Sequence, residues 1–354
     1  MFPRAMLQDN AACLQHPRHV DWETMILVTG AAGFIGFHVC LRLLQQGFGV
    51  VGLDNLNDYY DPKLKRDRLR LLLERGMEFH PIDLCQEAEL TDLFIRHGFS
   101  RVVHLAAQAG VRYSKTNPQA YVSSNLLGFL NILEACRRHA IGHLIYASSS
   151  SVYGLNTQMP LSTRLSTDTP VSLYGATKKS NELMAHSYAW TFGLPCTGLR
   201  FFTVYGPWGR PDMALYVFAN AILERRPVQL FNHGNMLRDF TFVDDVVESI
   251  TRLLHRPPVC QPGQSAPTRI FNVGNHNPVN LRQFLSWIEE ALGQEAQVEL
   301  APLQTGDIVD TFADVQELEQ FLGFRPATPV REGIRRSLEW YLEYRTRSNV
   351  EVSI

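Results

Sequence analysis

The chain has almost no charge excess: 33 Lys and Arg stand against 35 Asp and Glu, a net charge of −2 over 354 residues. That balance leaves no electrostatic footprint for a nucleic-acid partner. No apolar run approaches the roughly 20 residues that span a bilayer, so no membrane partner is expected. The first 24 residues, MFPRAMLQDNAACLQHPRHVDWET, lack the continuous apolar segment of a secretory signal. They read as a loose extension, with Met25 a candidate natural start. The six cysteines, at 13, 40, 85, 136, 196 and 260, make no CxxC pair, and the twelve histidines make no HExxH. No metal site is expected, and the thiols read as reduced, as in a cytoplasmic protein. No internal repeat is visible. What remains is 45% hydrophobic and 19% charged, an ordinary globular composition with length for one large domain and an appendage, or two.

The first half alternates short apolar runs with helical patterns. MILVTG (25–30), GVVGLD (49–54), MEFHPIDL (77–84), RVVHLAA (101–107), HLIYASSS (143–150) and CTGLRFF (196–202) read as strands. Helices fill the gaps, among them 34–47, 64–76 and one long helix over 117–140. This alternation predicts a doubly wound parallel α/β sheet. After residue 203 Pro, Gly, Asn and Asp break the regularity. The expectation is a dinucleotide-binding domain over 25–202, with 239–255 returning to it, and a smaller mixed α/β substrate domain from 203–238 and 256–354.

VTGAAGFIGFH places Gly30, Gly33 and Gly36 between the first strand and the first helix. Gly30 permits the tight turn, Gly33 lets backbone approach a pyrophosphate at the helix N-terminus, and Gly36 allows close packing. Phe34 and Ile35 lie between them. Asp54 ends the second strand, where a carboxylate can bond ribose hydroxyls and repel a 2′-phosphate, which favours NAD over NADP. Asn55 follows it. Asp83 with Leu84, and Leu105, Ala106 and Ala107, sit at carboxyl ends of later strands, where such sheets bind ligands; each alone is as readily structural.

SLYGATKKSNE puts Tyr174 and Lys178 four apart, on one face of a helix. A tyrosine near its ordinary pKa of about 10 is a poor base until a cation lowers it. YxxxK is frequent by chance, but upstream YASSSSVYG ends a strand in four serines. Buried hydroxyls need partners, and strand alternation would aim Ser149 and Ser151 to one face, opposite Ser148 and Ser150. YGPWGRPDMA (205–214) reads as a stiff turn-rich loop carrying Arg210.

GxxGxxG, the Asp after strand two, HLAA, the serine cluster before VYG, YxxxK and LRFFTVYGP together resemble the extended short-chain dehydrogenase/reductase family, over roughly residues 25 to 345. DNLNDYYDPKLK, AAQAGVRYS, SLYGATKK and FFTVYGPWGRPDMAL are most similar to the UDP-glucuronate 4-epimerases within it. The resemblance implies a Rossmann NAD-binding domain, with Phe201 also at the cofactor, and interconversion of UDP-glucuronate and UDP-galacturonate through a 4-keto sugar. Tyr174 would be the base, Lys178 its partner and Ser149 the hydroxyl at the sugar O4. Ser150 and Ser151 stand where dehydratases carry Asp-Glu, which argues against elimination; Ser151 is a substrate contact. Arg238 would meet the diphosphate. PLQTGD (302–307) resembles a nucleotide-binding R-x-G-D segment with Gln304 in place of Arg, and Asp307 is a ribose contact.

A C4 ketone lies β to the C6 carboxylate, so the intermediate can lose CO2 unless that carboxylate is held. Arg210, always charged and able to bind bidentately, suits this; Arg112 is a second candidate and Thr203 adds a hydroxyl. A UDP-glucuronate decarboxylase, a 4-epimerase of neutral UDP-sugars and a non-catalytic NAD-binding regulator are the alternatives. The family resemblance also implies a homodimer through helices near 117–140 and 172–192, with Leu126, Leu127, Leu130 and Leu133 as candidate contacts.

Overall fold

The computed structural model describes residues 25–260, 266–304 and 308–351; the expected extension at 1–24 lies outside them. β1 (Met25–Thr29), α1 (Phe34–Gln45) and β2 (Gly49–Leu53) follow one another directly. Both faces of β1 and β2 are covered, which is why these strands are continuously apolar rather than alternating. α2 (Pro62–Leu73) opens on Asp61, whose side chain caps Lys63 N, and on a proline in its first turn. β3 (Glu78–His80), α3 (Glu87–His97) and β4 (Arg101–His104) complete the first half of the sheet. β3 and β4 stop short of the runs read from sequence, because the chain leaves the sheet at Ile82–Leu84 and Leu105–Gln108 to line a cleft.

The helix expected over 117–140 is broken. Two single turns, α4 (Tyr113–Thr116) and α5 (Pro118–Tyr121), lead into a π-helical segment (Val122–Leu127) and then α6 (Gly128–Arg138). The widened segment turns Asn125 inward, where it accepts from Gln108 N at 2.8 Å and donates to Gln108 O at 3.0 Å. β5 (His143–Ser149), α7 (Leu173–Phe192, capped by Ser172) and β6 (Cys196–Phe201) follow.

The remaining elements are β7 (Thr203–Tyr205), α8 (Ala214–Leu223), β8 (Val228–Leu230), β9 (Leu237–Phe242), α9 (Val243–Leu254), β10 (Thr268–Val273), β11 (Pro278–Asn280), α10 (Leu281–Leu292), β12 (Val298–Leu300), α11 (Gln316–Leu322) and α12 (Val330–Glu351). The large sheet is parallel, in the order β10-β6-β5-β4-β1-β2-β3. β10, from the stretch expected in the smaller domain, pairs with β6 instead. It extends the sheet because Phe271 and Val273 join the buried cluster that α1 and α9 build with Val39, Leu43, Val246 and Ile250. Separate small sheets, β11-β9-β7 and β12-β8, carry another core in which Phe240 stacks on Phe284 at 3.9 Å. Strand order reverses between β1 and β4, and the main cleft opens above that reversal, where doubly wound sheets bind ligands. No described helix is long and apolar enough to cross a membrane.

Candidate active site

The cleft has a volume of about 440 Å³. One end is built by the glycine turn. Gly30 takes φ +70°, and a Cβ there would stand 2.8 Å from Ala106 N, so β1 and the segment after β4 meet only through a glycine. A Cβ on Gly36 would lie 2.0 Å from the Gly30 carbonyl oxygen, and one on Gly33 2.9 Å from the same atom. Gly33 thus also closes the turn itself, and it lines the cleft. The first turn of α1 has no side-chain cap and no acidic residue, which leaves its N–H groups and the positive end of the helix for an anion. A dinucleotide diphosphate fits this cradle.

Beside it Asp54 is buried, bonded by Leu56 N at 2.8 Å, with Lys65 Nζ at 3.5 Å. Asn55 donates to Asp83 at 2.7 Å. Burial pushes Asp83 up, but Asn55 and the Cys85 N–H outweigh it and hold its pKa below the ordinary value. Lys65 comes from α2 and is bonded to Asn57 at 2.8 Å; the sequence offered only a helix over 64–76 there. Phe34, Ile35, Leu84, Leu105, Ala107 and Phe201 line the same cleft.

At the other end stands Tyr174, on the first turn of α7, with Lys178 one turn on. Lys178 is 1% exposed and donates to the Ala147 carbonyl of β5 at 2.8 Å. Burial drives its pKa down to about 8. Burial pushes the Tyr174 phenol above 10, opposed by a hydrogen bond with Ser149 and by the charge of Arg210. Ser149 and Ser151 do meet, their oxygens 3.1 Å apart. They meet for a reason other than strand alternation. The strand ends at Ser149, whose hydroxyl caps Ser151 N at 3.2 Å and starts a 3₁₀ turn (Ser150–Tyr153). Ser150 also lines the cleft. Ser148 borders the cleft too, but its hydroxyl is spent on Glu182, to which it donates at 2.6 Å.

The 205–214 loop is held from four sides. Buried Arg68 of α2 donates to Ala32 O at 2.9 Å and Trp208 O at 2.6 Å, which ties the loop to the glycine turn. His38 of α1 donates from Nε2 to Pro207 O at 2.8 Å, and burial keeps its pKa near 4, so the ring is neutral. Tyr216 of α8 donates to Gly206 O at 2.6 Å. Trp208 sits at φ +59°, a backbone shape that L-residues seldom adopt, held by Phe37 at 5.4 Å and Trp340 of α12 at 5.0 Å. Arg68, His38 and Trp340 could not be assigned to the site from sequence, since each lies far along the chain; Tyr216 is near, but nothing local announces its bond back to Gly206.

Arg210 lines the cleft from this loop, as do Thr203 and Arg238. Arg238 spends donors on the carbonyls of Val309 at 2.6 Å and Ile308 at 2.5 Å, tethering the chain just beyond the 302–307 motif. Arg112, the second candidate for the carboxylate, is exposed, lies outside the cleft lining and stacks on Phe231 at 4.8 Å, where the chain turns into α4. Asp307 lies outside the described residues. The described cluster with metal-like donors, Glu78, His80 and His97, is also away from the cleft; the two imidazoles share one carboxylate oxygen at 2.8 and 3.2 Å. It joins β3 to the end of α3, so no short motif announces it.

The cleft therefore joins an anion cradle, a ribose-type acid, a phenol beside a buried amine, a serine hydroxyl and a fixed guanidinium. Such a set can move a proton and a hydride at one carbinol carbon of a substrate with an acidic group. Residues 26–274 match the family model of the NAD dependent epimerase/dehydratase family. Protein CapI of Staphylococcus aureus is 50% identical, over 90% of this chain and 98% of its own. A probable UDP-glucuronate 4-epimerase of Rhizobium meliloti is 45% identical, over 92% and 99%. The crystal structure of UDP-glucuronic acid 4-epimerase from Bacillus cereus, with UDP-glucuronic acid and NAD, superposes with a TM-score of 0.82 at 32% identity, over 91% and 100%.

Proposed function

The chain belongs to the NAD dependent epimerase/dehydratase family, and from that premise we propose that it interconverts UDP-glucuronate and UDP-galacturonate by NAD-dependent epimerisation at C4. One observation carries the reading: Arg210, a permanently charged carboxylate ligand, shares one cleft with Tyr174, Lys178 and Ser149. NAD, when bound, accepts hydride from C4 and returns it to the opposite face of the sugar. The glycine turn and the α1 N-terminus hold its diphosphate; Asp54 holds a ribose. Tyr174 takes the O4 proton and later returns it, with Ser149 as hydrogen-bond partner of O4. Lys178, anchored on Ala147 O, supports the phenolate. Arg210 and Thr203 hold the C6 carboxylate so that the β-keto acid keeps its CO2. Arg238 and Asp307 are assigned to the nucleotide.

We assign the uridine half to the smaller, substrate-side domain, a reading supported by Arg238 and Thr311 in the lining of the cleft. A homodimer follows from the same reading. Leu127 just before α6, Leu130 of α6, and Leu183, Trp190 and Phe192 of the neighbouring α7 are each exposed, whereas Leu133 is core. The buried free thiols Cys40, Cys136 and Cys196 suit a reducing, cytoplasmic setting.

The test is incubation of the protein with UDP-glucuronate and identification of the product. UDP-galacturonate is expected. UDP-xylose or a 4-keto-pentose product would make it a decarboxylase, and turnover of UDP-glucose alone would make it a neutral-sugar epimerase.

A further inference from the structure

Arg210 already holds a carboxylate. Its Nε donates to Asp212 Oδ1 at 3.0 Å and its Nη2 to Asp212 Oδ2 at 2.5 Å. A guanidinium offers two forks to planar acids, one from Nε with an Nη and one from the two Nη groups. Asp212 fills the first from within the loop, and the second is left for the cleft that Arg210 lines. Asp212 is itself fixed from another element. Tyr59, after β2, donates its hydroxyl to Oδ2 at 3.0 Å, and its ring lies 5.6 Å from the guanidinium carbon. The side chains are 19% and 35% exposed, so water screens the pair in part. Burial pushes Asp212 up, but Arg210 and Tyr59 hold its pKa below the ordinary value, so it stays an anion at neutral pH.

We infer that Asp212, clamped by Tyr59, is a positioning residue: it aims the free fork of Arg210 at the substrate carboxylate and acts as the resident counter-ion that lets that carboxylate go when the sugar turns. The inference rests on the 4-epimerase reading and deepens it. Epimerisation puts opposite demands on one arginine. The carboxylate must be gripped while the ketone exists, yet the sugar must present its other face before the second transfer. A lone buried guanidinium meets only the first demand. Its charge-assisted bidentate bond to the substrate is strong, and breaking it would leave a largely desolvated charge unpaired. With Asp212 in place the cation is never unpaired, and its field on the substrate carboxylate is partly offset. The grip becomes directional but shallow.

The experiment compares wild type with Asp212→Asn, Asp212→Glu and Tyr59→Phe in the full chain loaded with NAD. Bound NAD and melting temperature report folding. The decisive readouts are the dissociation constants of UDP-glucuronate and neutral UDP-glucose, and kcat on UDP-glucuronate. Asp212→Asn should bind UDP-glucuronate tighter by roughly fivefold, the scale of one partly exposed charge pair, with UDP-glucose binding unchanged and kcat lowered. Tyr59→Phe should move both in the same direction by less, and Asp212→Glu should restore the wild-type ratio of the two affinities. Weaker or unchanged UDP-glucuronate binding in Asp212→Asn overturns the counter-ion role, and so does a parallel loss for both ligands, which marks a packing role. If wild type binds UDP-glucuronate but never turns it over, the 4-epimerase reading fails by itself, and the affinity ratio still reads the counter-ion.

Discussion

Two arginine–carboxylate pairs lie on the same stretch of chain and do different work. Arg200 of β6 meets Glu182 of α7 through Nε and Nη2, both at 2.8 Å, with Ser148 adding a third bond at 2.6 Å and the Tyr153 ring 4.9 Å from the guanidinium. Arg210 meets Asp212 with the same fork. The first pair is sealed, its side chains 4% and 2% exposed. The second borders the cleft. Identical chemistry thus becomes a bolt between a helix and a sheet in one place and part of the cleft wall in the other. The difference is the surroundings: protein encloses Arg200, whereas Arg210 lines the cleft.

The largest break in this comparison is Glu182→Ala. Removing one partner of a sealed pair leaves Arg200 charged and uncompensated, and should cost about 3 to 5 kcal/mol of stability. Denaturant unfolding checks it; a loss below about 1 kcal/mol would mean that water reaches the pair. Arg210→Ala should do the reverse. Stability changes little, turnover of UDP-glucuronate falls roughly 100-fold, and part of the flux appears as CO2, the scale of losing one charge-stabilising donor. Unchanged turnover without CO2 would return the 205–214 loop to the status of a connector.

Lys178 sharpens the contrast from between these extremes. It is buried like Arg200, but its hydrogen bond goes to a carbonyl, and its pKa falls from 10.5 to about 8. Below pH 8 the folded chain carries this charge at a cost. Between pH 8 and 10 the folded state releases the proton while the unfolded state keeps it, so stability rises with pH through that window. The rise should amount to roughly 2 kcal/mol and should vanish in Lys178→Met. Equal pH slopes for the two proteins would show that Lys178 is neutral or solvated throughout. The smallest effect belongs to Arg112→Ala. An exposed arginine outside the cleft should leave turnover and stability within about 0.5 kcal/mol of wild type, and a tenfold loss of turnover would bring it back as a carboxylate ligand.

These contrasts also mark how far the residues could be read. Gly30, Gly33 and Gly36, Asp54, Tyr174 and Lys178 were legible because each answers to a local period: a strand, a turn, one helical face. Ser149 and Ser151 were grouped correctly but through the wrong geometry, since a capping turn replaces the strand there. The π segment around Asn125 was invisible, because its cause is a bond to Gln108, on the segment after β4. Arg112 was a candidate only through nearness to a motif, and the backbone carries it outside the cleft lining. Asp212 stood two residues from Arg210, and nothing in the string said that the two would join.

The sequence alone determined the doubly wound sheet, the dinucleotide cradle and the Tyr–Lys pair, because apolar period, glycine spacing and i,i+4 placement act over a few residues. Only the tertiary structure decided that β10 closes the sheet, that Arg68 and Trp208 lock a loop to the cradle, and that Arg210 reaches the cleft with one fork filled. Those outcomes depend on partners some seventy to a hundred and forty residues apart, or on which side chain is left at the cleft when the cores close.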